Sequence, residues 1–161
     1  MTRRTTLAAA LVSSIGLLGG HAAHAAEIKR VPSAGPIAIS PAVTTPPGST
    51  LVFLSGALPT IADKTAPGTT ETQSRSVLDK LEATLKAEGL GLGDVVKATV
   101  FLVGDPGKGG EIDFVGLNAA WTQRFGTTEQ PNKPARSTVK VAGLVAPGAL
   151  VEIEVIAARA H

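Results

Sequence analysis

The sequence predicts an α+β domain in which two helices pack on one face of a mixed β-sheet. Three observations lead to this class: β-branched runs of strand length, two longer segments with helical periodicity, and prolines or glycines between them. The elements follow one another in the order β-β-α-β-α-β-β. In a plan of this kind, both helices are expected on the same side of the sheet.

The first half of the domain is predicted to contain two strands and one helix. Residues 37–43 (IAISPAV) and 49–58 (STLVFLSGAL) have the composition of strands, and a proline–glycine turn sequence separates them. Residues 70–91 are predicted to be helical, with Gly89 as a stop signal. The apolar residues that recur there at helical spacing are Val77, Leu78, Leu81 and Leu85.

The second half again alternates strand and helix. Residues 94–105 (DVVKATVFLVGD) are dense in β-branched residues and predict a strand that is buried on at least one face. A second helix is predicted over 111–126, with one apolar stripe made of Phe114, Leu117, Trp121 and Phe125. The segments 133–144 and 149–159 are predicted strands, and the VAPG turn between them favours a hairpin.

The first 25 residues are predicted to be a cleaved export signal and not part of the fold. Arg3 and Arg4 precede an apolar run, residues 7–20, that is too short to span a bilayer, and Ala23 and Ala25 mark a signal-peptidase site. A single domain, residues 26–161, is therefore expected in the periplasm or outside the cell, with no membrane partner after cleavage. The paired arginines are compatible with both the Sec and the twin-arginine route.

The composition of this domain excludes several classes of function. Two of the 15 basic residues lie in the signal, so the 13 acidic residues of the domain are balanced by an equal number of basic ones. A formal net charge of zero argues against a nucleic-acid partner. The chain has no cysteine and no tyrosine, and His161 is the only histidine outside the signal. Histidine-containing triads, thiol nucleophiles and histidine-based zinc sites are excluded, and no metal is expected.

The last predicted strand indicates that the domain assembles with copies of itself. Glu152 and Glu154 alternate onto one face of the strand, whereas the other face is apolar. Leu150 and Ile156 make the glutamate face largely apolar as well, so both faces need to be covered. Helices can cover only one of them, which leaves the other to a second subunit of a closed homo-oligomer.

Arg136 lies on the preceding strand and has two interpretations. With Lys140, it is a natural counter-charge for the two glutamates, and the pattern is then a structural ion-pair ladder across the hairpin or across a subunit interface. Alternatively, its planar guanidinium receives the carboxylate of a ligand in a half-buried cleft.

Three other polar or small residues have similarly open interpretations. Ser55 and Gly56 mark either a bulge at the end of a strand or a place where a ligand approaches the backbone closely. Asn118 follows the apolar Leu117 on the second helix, where a polar side chain usually faces solvent or caps a neighbouring loop.

Several motifs resemble those of the RidA/YjgF family of enamine and imine deaminases, also called endoribonuclease L-PSP. They are GP at 35–36, SGALP at 55–59, GLGLGDVVKATVFL at 89–102, DFVGLNAAWTQRF at 113–125, PARSTVKVAGL at 134–144 and VEIEVIAAR at 151–159. The resemblance covers nearly the whole domain. It implies a chorismate-mutase-like fold that assembles as a homotrimer with three clefts between subunits.

The resemblance also implies roles for individual residues. Arg136 corresponds to the arginine that binds the substrate carboxylate, and Glu152 to the acidic residue that positions or activates water. Ser55, the Gly56 amide and Asn118 match positions that line the same pocket.

Two further pocket positions depart from the pattern of the family. Ile37 stands where active members often carry tyrosine, so a phenol hydroxyl is lost from the pocket edge. Thr138 stands where many relatives have cysteine, which indicates that the thiol is not required.

The implied function is hydrolysis of reactive 2-imino or enamino acids to 2-oxo acids and ammonia, with a small carboxylate as substrate and no cofactor. A non-catalytic trimer that binds small carboxylates or acts as a chaperone is the alternative, which Ile37 favours and the retained pair Arg136 and Glu152 opposes. A ribonuclease, suggested by the older family label, is disfavoured by the uncharged domain. Whether Glu154 shares the role of Glu152 stays open.

Overall fold

A four-stranded mixed sheet organises the fold in the computed structural model, which describes residues 27–161. The strands, in chain order, are β1 (Lys29–Arg30), β2 (Val43–Thr44), β3 (Thr50–Ala57), β4 (Val95–Leu102), β5 (Ala135–Lys140) and β6 (Val151–Arg159). The short β1 and β2 pair only with each other, and the main sheet has the order β3-β6-β4-β5. Strand β6 runs antiparallel to β3 and β4, whereas β4 and β5 are parallel. The predicted export signal, residues 1–25, lies outside the described residues.

Two helices, α1 (Thr70–Ala87) and α2 (Phe114–Trp121), pack against each other and against one face of the sheet. Thr69 and Thr72 form a capping box at the start of α1, and Gly89 follows its end with a left-handed φ of 69°. The carboxylate of Asp113 caps α2 by accepting a hydrogen bond from the Gly116 amide at 3.0 Å. The mixed sheet with two helices on one side confirms the predicted fold class.

The two faces of the sheet have different surroundings because side chains alternate along each strand. On β4, Ala98, Val100 and Leu102 point toward the helices and are fully buried. The intervening residues point to the opposite side, which no helix covers; we call this side the open face. The open face carries three large apolar side chains that stay exposed, namely Leu51 (44%), Phe53 (70%) and Val139 (44%).

The predicted hairpin of β5 and β6 is wrong, because β4 lies between these two strands. Strand β6 is central, and its helix-side residues Val151, Ile153 and Val155 are buried. Strand β5 is at the edge, where alternating polar side chains are tolerated because one side of the strand is free. Two strands that follow each other in sequence are thus placed on opposite sides of β4.

The predicted strand over 37–43 is also wrong for most of its length, since only Val43 and Thr44 are in strand β2. The preceding residues run instead past the beginning of β5, where the Ser40 amide donates to the Pro134 carbonyl at 2.9 Å. The predicted strand therefore becomes a segment that lies beside Arg136 and α2. Within residues 27–161, no helix has the length and hydropathy needed to cross a membrane.

Candidate functional site

Arg136 lies on the helix side of the sheet, at the edge strand β5. It is paired in register with the fully buried Ala98 of β4, so its side chain points toward α2. One guanidinium nitrogen, Nη2, donates a 2.8 Å hydrogen bond to Oδ1 of Asn118. The guanidinium carbon lies 4.6 Å from the centroid of the Trp121 ring and 5.7 Å from that of Phe114. Two aromatic rings and one amide therefore surround this cation.

The electrostatic state of Arg136 is unusual for a side chain near the surface. Burial lowers the pKa of the guanidinium to about 10, and this loss of solvation is the cause of the shift. Its second terminal nitrogen, Nη1, is buried and has no hydrogen-bond partner, and no carboxylate within residues 27–161 forms an ion pair with it. A desolvated cation with an unused donor is well suited to receive an anion.

Helix α2 supplies the platform under Arg136. Trp121 is fully buried, stacks on Phe125 with ring centroids 4.3 Å apart, and donates from Nε1 to the Ala38 carbonyl at 2.8 Å. This hydrogen bond holds the segment that follows Ile37 against the helix. Ile37 is half-buried and directly precedes Ala38 in the chain. Ile37 and Arg136 are therefore connected through Trp121, which binds Ala38 and lies beneath the guanidinium.

The other residues of β5 on the helix side extend away from this platform. Thr138, half-buried, pairs with Val100 of β4 and follows Arg136 on the same side of the strand. Lys140 donates to the Gly110 carbonyl at 2.9 Å and lies 3.3 Å from the Glu111 carboxylate. Lys140 is therefore engaged with the loop before α2.

Glu152 lies on the opposite side of the sheet. It is paired with Phe101 of β4 and points to the open face, where it is half-buried. Its carboxylate packs directly on Gly56, at a place where any Cβ would collide with it. Gly56 belongs to a bulge, since the register of β3 against β6 shifts between Leu54 and Ala57. The bulge expected at Ser55 and Gly56 is confirmed, and the glycine makes room for the carboxylate.

Ser55 and Glu154 lie near each other on the open face. Both line a shallow concavity of about 260 Å³, together with Lys97 and Thr99 of β4. Lys97 donates from Nζ to the Ser137 hydroxyl at 2.7 Å, and neither glutamate of β6 has a cation within ion-pair distance in the described part of the chain. On the open face, Glu152 and Glu154 are thus without an ion pair inside residues 27–161, although Lys97 lines the same concavity as Glu154.

Pairing of Arg136 and Lys140 with the two glutamates across a hairpin of one chain is ruled out, and pairing across a subunit interface stays a prediction. Strand β4 separates β5 from β6, and the side chains of Arg136 and Glu152 leave the sheet in opposite directions. One chain therefore brings together Arg136, Asn118 and the Ile37 segment on one face, and Glu152, Gly56 and Ser55 on the other.

Sequence reasoning did not identify the aromatic support of Arg136. Trp121 and Phe114 were assigned only to the apolar stripe of the second helix. The signal was present, since Phe114, Asn118 and Trp121 are four and three residues apart and so project from one side of a helix. The sequence does not indicate that this side of α2 faces β5. The parallel pairing of β4 and β5 in the structure shows it.

Comparison with known proteins gives consistent similarities. The family model described as Endoribonuclease L-PSP matches residues 35–159. The 2-iminobutanoate/2-iminopropanoate deaminase of Escherichia coli strain K12 is 38% identical over 126 residues, which cover 77% of this chain and 91% of that protein. A RutC family protein of Haemophilus influenzae is 38% identical over 125 residues, covering 77% and 91% respectively. The crystal structure of the YjgF gene product of Escherichia coli, 38% identical, superimposes with a TM-score of 0.55 and covers 77% of this chain and 92% of that chain.

Proposed function

The chain belongs to the RidA/YjgF family, also called endoribonuclease L-PSP, and we propose that it hydrolyses 2-imino acids and their enamine tautomers to 2-oxo acids and ammonia. The observation that carries the proposal is the state of Arg136, a desolvated guanidinium with an unused donor and no carboxylate paired to it in the described residues. Such a group binds a substrate carboxylate strongly and in a fixed orientation. The similarity to a protein named 2-iminobutanoate/2-iminopropanoate deaminase supports this class of reaction.

The chemistry needs one cation and one carboxylate. Arg136 holds the substrate carboxylate, so that the electrophilic imine carbon next to it has a fixed position. Glu152 accepts a proton from a water molecule as the oxygen bonds to this carbon, and the product is a carbinolamine. Glu152 passes this proton to the imine nitrogen, which completes the neutral carbinolamine. Glu152 then takes the proton of the new hydroxyl group and delivers it to the amine. The carbon–oxygen double bond forms as the carbon–nitrogen bond breaks, which releases ammonia and leaves the 2-oxo acid. Positioning and proton transfer of this kind accelerate a reaction by roughly 10² to 10⁴-fold.

The proposed site forms between subunits. Arg136 and Glu152 lie on opposite faces of the same sheet, so a substrate that touches both requires Glu152 from a second copy of the chain. The open face, with its exposed apolar side chains, offers a surface that such a copy would cover. We therefore propose a homotrimer with three equivalent clefts, each completed by residues of two subunits.

The first experiment measures 2-oxo acid formation from 2-imino acids generated in situ by an amino-acid oxidase. The mature protein is compared with Arg136→Ala and Glu152→Gln, and small and bulky substrate side chains are tested in parallel. Arg75→Ala is the matched control, because Arg75 forms an ion pair with Glu71 on the surface of α1 and contacts neither Arg136 nor Glu152. We expect acceleration by the protein and by the control, and loss of most of it in the two site variants.

A carboxylate-binding trimer without catalysis is the second candidate, which Ile37 favours because it removes a hydroxyl from the pocket edge. Binding of 2-oxo acids that depends on Arg136, without acceleration of any imine, would replace the deaminase by this binding protein. Absence of both binding and acceleration would remove Arg136 as an anion receptor.

We also propose that the protein acts after export, which the basic and apolar order of residues 1–25 supports. The mass of the protein purified from an envelope fraction tests this. A mature chain beginning at Ala26 is expected, and an intact N-terminus in the cytoplasm would contradict export.

A further inference from the structure

We infer that Asn118 positions Arg136 and that, as a neutral acceptor, it keeps the positive charge of Arg136 available for the ligand. The inference rests on the proposed function and assigns Asn118 a role other than direct contact with substrate. Its first support is that both ends of the side-chain amide are engaged. Nδ2 donates to the Phe114 carbonyl at 2.9 Å, which leaves Oδ1 to accept from Arg136 at 2.8 Å. The amide is therefore held in one orientation, with its acceptor toward the guanidinium.

The second support is the restraint that this contact adds to the guanidinium. The guanidinium carbon lies over the rings of Trp121 and Phe114. Attraction between a cation and an aromatic face does not select one terminal nitrogen, so it alone leaves the guanidinium free to rotate. A hydrogen bond to one terminal nitrogen removes this rotation. The positions of the remaining donors, Nη1 among them, are then fixed for a ligand.

The third support is a contrast with the other arginines between residues 27 and 161. Arg75 and Arg124 pair with carboxylates, and Arg30 and Arg159 donate to backbone carbonyls. Arg136 is bound by a side-chain amide and aromatic rings. A carboxylate in place of the amide would still accept a hydrogen bond from Arg136, but it would lose the donor to the Phe114 carbonyl and neutralise the charge of the guanidinium. The neutrality of Asn118 is thus the property that keeps an anion site open.

In the discriminating experiment, the mature assembled protein is titrated in a calorimeter with 2-oxobutyrate, a non-reactive monocarboxylate. Both Asn118→Asp and Asn118→Ala lose the donor to the Phe114 carbonyl, so the comparison between them isolates the other two changes. Asn118→Asp keeps an acceptor for Arg136 and adds a charge, whereas Asn118→Ala removes the acceptor and adds no charge. Gln123→Glu is the matched control, since it makes the same amide-to-acid change on an exposed residue just beyond α2. Thermal unfolding of each variant shows that the fold is retained.

We expect Asn118→Asp to weaken binding by about tenfold to hundredfold and Asn118→Ala to weaken it less. Gln123→Glu should bind as the wild type does. In the deaminase assay, the Asn118→Asp variant should show its loss in KM, with kcat changed less, because ground-state carboxylate binding is affected.

Equal affinity of Asn118→Asp and the wild type would overturn the inference, and so would a larger loss in Asn118→Ala than in Asn118→Asp. Either result, with a wild type that binds and deaminates, leaves the proposed function standing. A wild type that neither binds 2-oxobutyrate nor accelerates imine hydrolysis would instead refute the proposed function itself, and the inference with it.

Discussion

At the scale of single residues, the contact between Gly56 and Glu152 makes a prediction about catalysis. A Cβ at position 56 would collide with the Glu152 carboxylate, so Gly56→Ala should displace the proposed general base. Gly56 does not have a positive φ, and alanine therefore fits its backbone. We expect kcat/KM to fall by about a hundredfold with little change in the thermal midpoint.

Gly143→Ala is the control for this substitution, because a Cβ there meets no atom within 4 Å and the residue also lacks a positive φ. Equal activity of the two alanine variants in the imine assay would show that the position of Glu152 does not matter for the reaction.

The lowered pKa of Arg136 gives a second prediction at this scale. The guanidinium is charged at neutral pH and loses its proton as the pH rises through about 10, where the attraction for a carboxylate is lost. The affinity for 2-oxobutyrate should be constant between about pH 7 and 9 and then fall about tenfold per pH unit above 10. Titrations at each pH, with circular dichroism as the control for folding, measure this. A constant affinity up to pH 11 would contradict it.

The local environment of single site residues could be predicted from the sequence better than their contacts. The half-buried position of Arg136 agrees with one of its two interpretations, and the register shift at Ser55 and Gly56 shows the bulge that was one of the two alternatives there. The partners of these residues could not be predicted, because they depend on which strands are neighbours. Within one chain, Arg136 contacts Asn118 and Trp121 and is separated from Glu152 by the sheet.

At the scale of elements, helix α2 contacts both Arg136 and the segment that contains Ile37. Its Trp121 lies under the guanidinium and donates a hydrogen bond to the Ala38 carbonyl. Trp121→Phe keeps an aromatic ring under Arg136 but leaves the Ala38 carbonyl without its 2.8 Å donor. We expect the free energy of unfolding to fall by about 1–3 kcal/mol, because a buried acceptor loses its partner. Urea denaturation measures the change.

Val115→Ala serves as the control for this helix, since Val115 is 79% exposed and should alter the free energy of unfolding by no more than about 0.5 kcal/mol. A Trp121→Phe variant as stable as this control would mean that the Ala38 carbonyl finds another donor.

The elements themselves were predicted well, whereas their arrangement was not. Both helices and the strands from residue 50 onward lie within the predicted segments, because burial of an amphipathic face is encoded locally. Helix α2 (Phe114–Trp121) covers only half of the predicted 111–126, and β5 (Ala135–Lys140) half of 133–144. The hairpin was wrong because a short connection does not require its two strands to pair. Central burial of β6 between β3 and β4 involves contacts distant in sequence, which no local pattern records.

At the scale of the whole molecule, the division of the proposed site between two faces predicts complementation between inactive variants. In the proposed trimer, each cleft would take Arg136 from one copy and Glu152 from another. Random assembly of equal amounts of Arg136→Ala and Glu152→Gln subunits should restore both residues in about a quarter of the clefts. The mixture should therefore recover about a quarter of the wild-type activity, although each variant alone is inactive.

Native mass spectrometry of the mixture is the control, because it shows whether mixed trimers have formed. Mixed trimers without activity would contradict a site that is shared between subunits.

The placement of Trp121 has a practical consequence for following this protein in solution. The chain contains a single tryptophan and no tyrosine, so its intrinsic fluorescence comes almost entirely from one indole ring. That ring is buried and lies 4.6 Å from the guanidinium carbon of Arg136. The charge above an indole shifts its emission, and an arriving anion changes that charge. The unlabelled protein therefore carries its own optical reporter at the point where the substrate carboxylate is proposed to bind.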